Sequence, residues 1–225
     1  MIVPPHVAIP AVGLGDRPAD LLLLLGALAL VPAALVMLTS FLKMVVVLSL
    51  VRAALGAPQV PPSTAITGLA LVLTLVVMAP VGEEAWRRAR EVPAGGLDRT
   101  LVAASAAAEP VRAFLARFAR PDDRRTFLDL CQRARRPNGA APGETDLAVL
   151  APAFVVSELR RAFTMGFFIF LPFLAVDLVV ANVLLALGLT QLSPTTVSLP
   201  FKLLLFVAVD GLKIVARGLV LGYVS

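Results

Sequence analysis

Lys202 and Asp210 lie in a stretch otherwise apolar enough to enter a bilayer, behind a polar, proline-bracketed link: "GLTQLSPTTVSLPFKLLLFVAVDG", residues 188 to 211, with Lys213 just beyond. Asp177 interrupts the apolar segment before it, and Lys43 and Arg52 fall in or just beyond the first one. Intramembrane charges of this kind do one of two things. They line a path for an ion or proton, or they pair inside protein, because a lone charge at the bilayer centre costs about 2.5 to 3.5 kcal/mol. On an ideal helix Lys202, Phe206, Asp210, Lys213 and Arg217 fall within an arc of about 80°, so one face of the last segment is polar. Asp210 and Lys213 stand at the i, i+3 spacing of a helical ion pair. Two arrangements meet that constraint. Lys202 and Arg217 could snorkel to opposite interfaces, leaving only Asp210 and Lys213 to be accommodated. Alternatively the whole stripe faces other protein, with Gly188, Gly211, Gly218 and Gly222 allowing helices to approach closely.

Other chemistry lacks material. His6 is the single histidine and sits in a proline-rich tail, which leaves nothing for a Ser/His/Asp triad or a multi-histidine metal site. The chain carries no GxxxxGK[ST] loop and no GxGxxG turn, so no enzymatic activity and no cofactor are expected. Cys131, the only cysteine, forms no internal disulfide and reads as a small buried apolar residue. Asp122 and Asp123 follow Pro121 and suit a helix N-terminus better than a metal. The net charge of +5 is no nucleic-acid signature, because acids are mixed among the bases and aromatics are sparse among them.

The elements that must hold these charges are helices. At 59% hydrophobic residues and a mean hydropathy of +0.90, the chain exceeds the roughly 45 to 50% apolar content of soluble domains, and a membrane protein is the expectation. Four apolar segments, 21–50, 64–82, 163–188 and 200–224, come near or pass the roughly 20 residues of a spanning helix. None alternates as barrel strands would. The fold class is therefore all-α: membrane-type helical hairpins, some helices kinked, with a small helical insertion between segments two and three. The division reads as an N-terminal tail at 1–20, a first hairpin at 21–82, a soluble helical insertion at 83–144 and a second hairpin at 145–225. The first segment is longer than a bilayer needs, and Pro32 is expected to bend or break it. Gly56 should end that helix, with Ser63 or Thr64 capping the next. In the insertion, "EPVRAFLARFAR" opens with Glu109 and Pro110 and sets Phe114, Leu115 and Phe118 on one face. "PDDRRTFLDLCQRARR" places acids first and arginines last, as the helix dipole favours. "RPNGAAPG" at 136–143 reads as a loop, and Pro152 and Pro172 as bends in a long run from Thr145. Lys43 and Arg52 put the first hairpin turn on the cytoplasmic side by the positive-inside tendency, and the insertion then on the other side.

Three blocks carry a resemblance: "MLTSFLKMVVVLSLVRAALGAPQVPPSTAITGLALVLTLVVMAPV" at 37–81, "AFVVSELRRAFTMGFFIFLPFLAVDLVVANVLLALG" at 153–188 and "LSPTTVSLPFKLLLFVAVDG" at 192–211. Ungapped and in order, they resemble the FliP/SctR family, membrane components of the type III secretion and flagellar export apparatus. The resemblance implies a non-enzymatic core subunit in the bacterial inner membrane. It implies a homo-oligomeric ring, a pentamer, assembled with FliQ/SctS-like and FliR/SctT-like subunits into a closed helical cone lifted from the bilayer plane. FlhB/SctU-like and FlhA/SctV-like components, membrane lipid and unfolded secreted proteins complete the implied partners. The uncleaved, proline-rich N-terminus points toward an injectisome rather than a flagellar system.

In that family the loop after the third segment carries methionines that narrow the conduit. Here the positions are Leu189, Thr190, Gln191 and Leu192, without a methionine, so the place of the constriction transfers better than its chemistry. A plain interhelical turn with Ser193 capping before Pro194 is the other reading of the same residues. At the scale of function, an ion or solute transporter lined by Asp177, Asp210, Lys202 and Lys213 stands beside the conduit.

Overall fold

A computed structural model describes residues 36–57, 61–92, 96–134 and 142–224, together with 25, 26, 29 and 32–34. The tail at 1–20 and most of the loop at 136–143 lie outside the described residues, as does the N-terminal argument for an injectisome. The chain divides into two units, Met1–Leu35 and Val36–Ser225. The described residues of the first are helical and exposed, Pro32 among them. In the second unit the chain leaves the helical conformation at residues 38–40, where the Phe41 amide donates to Thr39 Oγ1 at 3.3 Å. A hydroxyl that bonds local backbone in this way competes with the helical ladder.

The second unit is helical throughout its described elements: α1 (Phe41–Leu55), α2 (Ser63–Glu91), α3 (Gly96–Phe118), α4 (Pro121–Arg133), α5 (Leu147–Ala186), α6 (Pro194–Ala208) and α7 (Gly211–Val224). Gly56 ends α1 as expected, with φ of 76° and its amide bonded to the Ala53 carbonyl. Pro62, not Ser63 or Thr64, stands at the cap of α2. Ser63 Oγ instead accepts from Arg52 Nη1 at 3.0 Å, which ties the two ends of the hairpin turn together. Helix α2 runs on past residue 82 to Glu91, since Glu84 pairs with Arg87 and, at 2.7 Å, with Arg88 at helical spacings. Helix α3 likewise begins before Glu109 and carries Pro110 inside it, because an alanine-rich stretch of high helix propensity precedes that proline. Pro152 and Pro172 do not end α5, whose forty residues remain helical through both.

Helix α5 is the spine. Helix α1 lies along it at Gly166, where a Cβ would collide with the Leu50 side chain. Helices α3 and α4 also pack on α5, and α2 pairs with α1 and α3. Phe114, Leu115 and Phe118 of α3 turn inward as expected. The Phe114 ring lies 4.9 Å from Phe118, 5.6 Å from Phe154 of α5 and 5.8 Å from Tyr223 of α7, within the range where aromatic pairs attract. Cys131 is half-buried rather than buried, its thiol 3.7 Å from the Ala148 carbonyl.

Among the described residues, two helices, α2 and α5, are long and apolar enough to cross a membrane. The fourth apolar segment is not one helix. It divides at Asp210, whose φ is +54°, into α6 and α7.

Candidate functional site

That division reorganises the charges. Asp tolerates the left-handed region better than most residues, and the glycine after it leaves room for the Phe206 ring, which a Cβ at Gly211 would strike. The continuous polar stripe expected from Lys202 to Arg217 therefore does not form. Asp210 and Lys213 do meet, at 3.3 Å, but their side chains are 65% and 77% exposed on the chain, and Arg217 is exposed as well.

Lys202 turns the other way. Its ammonium, 5% exposed, bonds Asp177 Oδ2 of α5 at 2.6 Å, and Ser198 Oγ donates to the second Asp177 oxygen at 2.5 Å. Lys202 Nζ also lies 3.4 Å from the carbonyl of Ala54, at the C-terminal end of α1, where unpaired carbonyls favour a cation. One lysine thus joins three helices.

Lys43 occupies a second buried centre. Its ammonium is 3.1 Å from Glu158 Oε2 and 3.5 Å from the centre of the Tyr223 ring. Glu158 is fully buried on α5, accepts from the Tyr223 hydroxyl at the same oxygen, and accepts from Arg161 Nη1 at 2.6 Å on the other. Arg161 Nη1 also donates to the Phe118 carbonyl at the end of α3, at 2.8 Å. Four helices converge here. Beside it Ser157 Oγ donates to the buried Asp123 at 2.7 Å and accepts from the Arg120 amide at 2.9 Å, so a side chain of α5 satisfies an amide at the start of α4. Neither Glu158 nor Tyr223 was among the expected residues. The available signals were the Glu158 to Arg161 spacing and an Asp-Gly dipeptide at 210–211, a turn signal that shortens the last segment and sets Tyr223 on its own helix. Arg52, half-buried, stays at the hairpin turn with Ser63 and joins neither centre.

Leu189, Thr190, Gln191 and Leu192 form the link from α5 to α6 and are all exposed. The turn is tight: Gly188 has φ of 72°, the Leu189 amide bonds the Leu184 carbonyl at 2.9 Å, and the Leu192 amide bonds the Leu189 carbonyl at 3.3 Å. Ser193 occupies the cap of α6 without a side-chain capping bond, its hydroxyl engaged with Thr195 at 2.8 Å. Around this end the outer faces of α5 and α6 stay apolar and uncovered, including Leu178, Val183, Leu185, Phe201, Leu204 and Val207.

Residues 24–219 match a profile of the FliP family. The chain is 47% identical over 199 residues to the "Pathogenicity-related ORF2" protein of Xanthomonas campestris pv. glycines, covering 87% of this chain and 92% of that one. It is 43% identical to the "Hypersensitivity response secretion protein HrcR" of Ralstonia nicotianae, covering 91% of this chain and 97% of that one. It is 45% identical to the "Flagellar biosynthetic protein FliP" of Pectobacterium carotovorum subsp. carotovorum, covering 91% and 78% respectively. With the match running from the first apolar segment into α7, and including both buried lysines and the link between α5 and α6, the chain belongs to the FliP family.

Proposed function

We propose that this chain is a core, non-enzymatic subunit of a type III protein export gate in the bacterial inner membrane. The observation that carries the reading is the near full-length similarity to relatives named for hypersensitivity-response secretion and for flagellar biosynthesis alike. What those relatives share with this chain is the export machinery, not one class of cargo. The apolar outer faces of α5 and α6 support an assembly, since large contiguous apolar surface on a protein marks a membrane or protein contact. In this reading several copies form a ring, a pentamer, which joins FliQ/SctS-like and FliR/SctT-like subunits around a conduit for unfolded secreted proteins. FlhB/SctU-like and FlhA/SctV-like components stand next to it. Leu189 to Leu192 line the narrowest part, and Asp210 and Lys213, exposed on one chain, meet neighbouring subunits.

Co-expression with the two small partner proteins in mild detergent tests the reading. The expected result is one stable complex containing several copies of this chain. A chain that stays monomeric with its partners present, and that supports ion flux alone in liposomes, would establish a transporter instead.

A further inference from the structure

Glu158 leaves more cation than it can neutralise. Beside the Lys43 centre a cavity of about 270 Å³ opens between α1, the start of α4, α5 and α7, with Lys43, Arg120, Arg160 and Arg161 in its wall. Two carboxylates, Glu158 and Asp123, serve these four cations. Both Glu158 oxygens are already engaged, by Lys43 and Tyr223 on one side and by Arg161 on the other. Asp123 takes a hydrogen bond from Ser157 and reaches Arg160 only at 3.9 Å. The wall thus carries two positive charges beyond its acids, and among the described residues the Arg120 and Arg160 guanidiniums make no hydrogen bond.

The cavity has a floor and an entrance. Lys43 at the floor is 1% exposed, and Gly222 lines the cavity beside it: a Cβ there would lie 3.7 Å from Lys43 Nζ, so a larger side chain at 222 would occupy the space next to the ammonium. Immediately along α5 the chain turns apolar, and Phe163, Phe167 and Phe168 are each about 60% exposed. Forty residues of helix reach about 60 Å, twice a hydrocarbon core of about 30 Å, so α5 extends beyond a bilayer that it crosses, and on the membrane reading the basic cavity, next along α5 to the exposed phenylalanines, lies at the edge of the apolar region. Basic pockets between helices at that depth suit phospholipid headgroups.

We propose that this cavity binds the phosphate of an anionic phospholipid, with Arg120 and Arg160 as donors, Lys43 as the buried counter-charge and the α5 phenylalanines against the acyl chains. The proposal rests on the membrane reading above. A chain that meets lipid before it joins a ring would load the site first and could take the lipid with it into the assembly.

Native mass spectrometry of the full-length chain released from nanodiscs tests this, with phosphatidylglycerol and phosphatidylcholine mixed equally. The expected result is one retained phosphatidylglycerol per chain, favoured at least about tenfold over phosphatidylcholine. Arg120→Gln with Arg160→Gln should abolish the preference. Gly222→Leu should do the same while leaving every charge in place, which guards against loss through misfolding. Equal retention of the two lipids, or a preference unchanged in both variants, overturns the proposal. Retention of inorganic phosphate with no preference between lipids shows a free-anion site and overturns the lipid assignment. Closure of the cavity by an acidic side chain of a neighbouring copy, seen as a cross-link in place of lipid, also overturns it. Release of the chain from membranes by alkaline extraction would defeat the membrane reading itself, a result distinct from all of these.

Discussion

Glu158 answers to three donors from three other positions in the fold and is fully buried. Removing a carboxylate from such a centre leaves Lys43 buried without a counter-charge, and breaking a buried pair from one side costs about 3 to 5 kcal/mol. Glu158→Leu should therefore lower the thermal midpoint in detergent far more than Glu84→Leu, whose pairs with Arg87 and Arg88 lie at the surface. Equal shifts for the two would show that the centre is hydrated. Asp210 makes the opposite kind of prediction. Its left-handed backbone costs about 1 to 2 kcal/mol for an ordinary side chain, so Asp210→Val should destabilise the isolated chain while Asp210→Gly does not. If both variants melt alike, the backbone at 210 is not under that constraint. Lys202 and Asp177 were recognisable in the sequence as charges needing protein, because each interrupts a segment apolar enough to enter a bilayer. Their pairing with each other was not, since it depends on a turn that brings residues 25 apart in sequence face to face.

Helices were legible from length and hydropathy, and their ends less so. Gly56 could be read because a left-handed stop suits glycine alone among its neighbours. Pro110, expected at a helix start, lies inside α3, for a proline removes one hydrogen bond but a long packed helix keeps the rest. Packing of α1 on α5 was invisible in the sequence, where Gly166 is one glycine among many. It depends on a close approach at that position. Gly166→Val should destabilise by about 1 to 3 kcal/mol through collision with Leu50, and Leu50→Ala should recover part of the loss. A double-mutant cycle measures the coupling, and simple additivity would place the contact elsewhere.

The whole chain is built to be covered. Lys43 and Lys202 are paired inside, while the apolar outer faces of α5 and α6 look outward, and on the proposed reading an assembly supplies the surroundings that a soluble protein would provide within one chain. If Leu189 and Leu192 narrow the conduit, replacing both by glycine should leave the complex assembled but leaky to small ions, and Thr190→Met with Gln191→Met should tighten it, since a flexible apolar side chain fills a gap that a hydroxyl or amide keeps wet. Membrane conductance in cells with assembly checked separately decides this; a tight double-glycine variant would move the seal to another subunit. The clasp of Lys202 on Asp177 and the end of α1 has a further consequence, in time rather than space. A ribosome delivers Asp177 before Lys202, so for a while the spine helix carries an acid with no partner, at a cost of about 2.5 to 3.5 kcal/mol if it enters lipid alone. Helix α5 should therefore wait at the translocon and be released together with α6. Nascent chains arrested before Lys202 should stay cross-linked to the insertion machinery, and chains arrested beyond it should partition into lipid, whereas Asp177→Leu should let the short chains leave early.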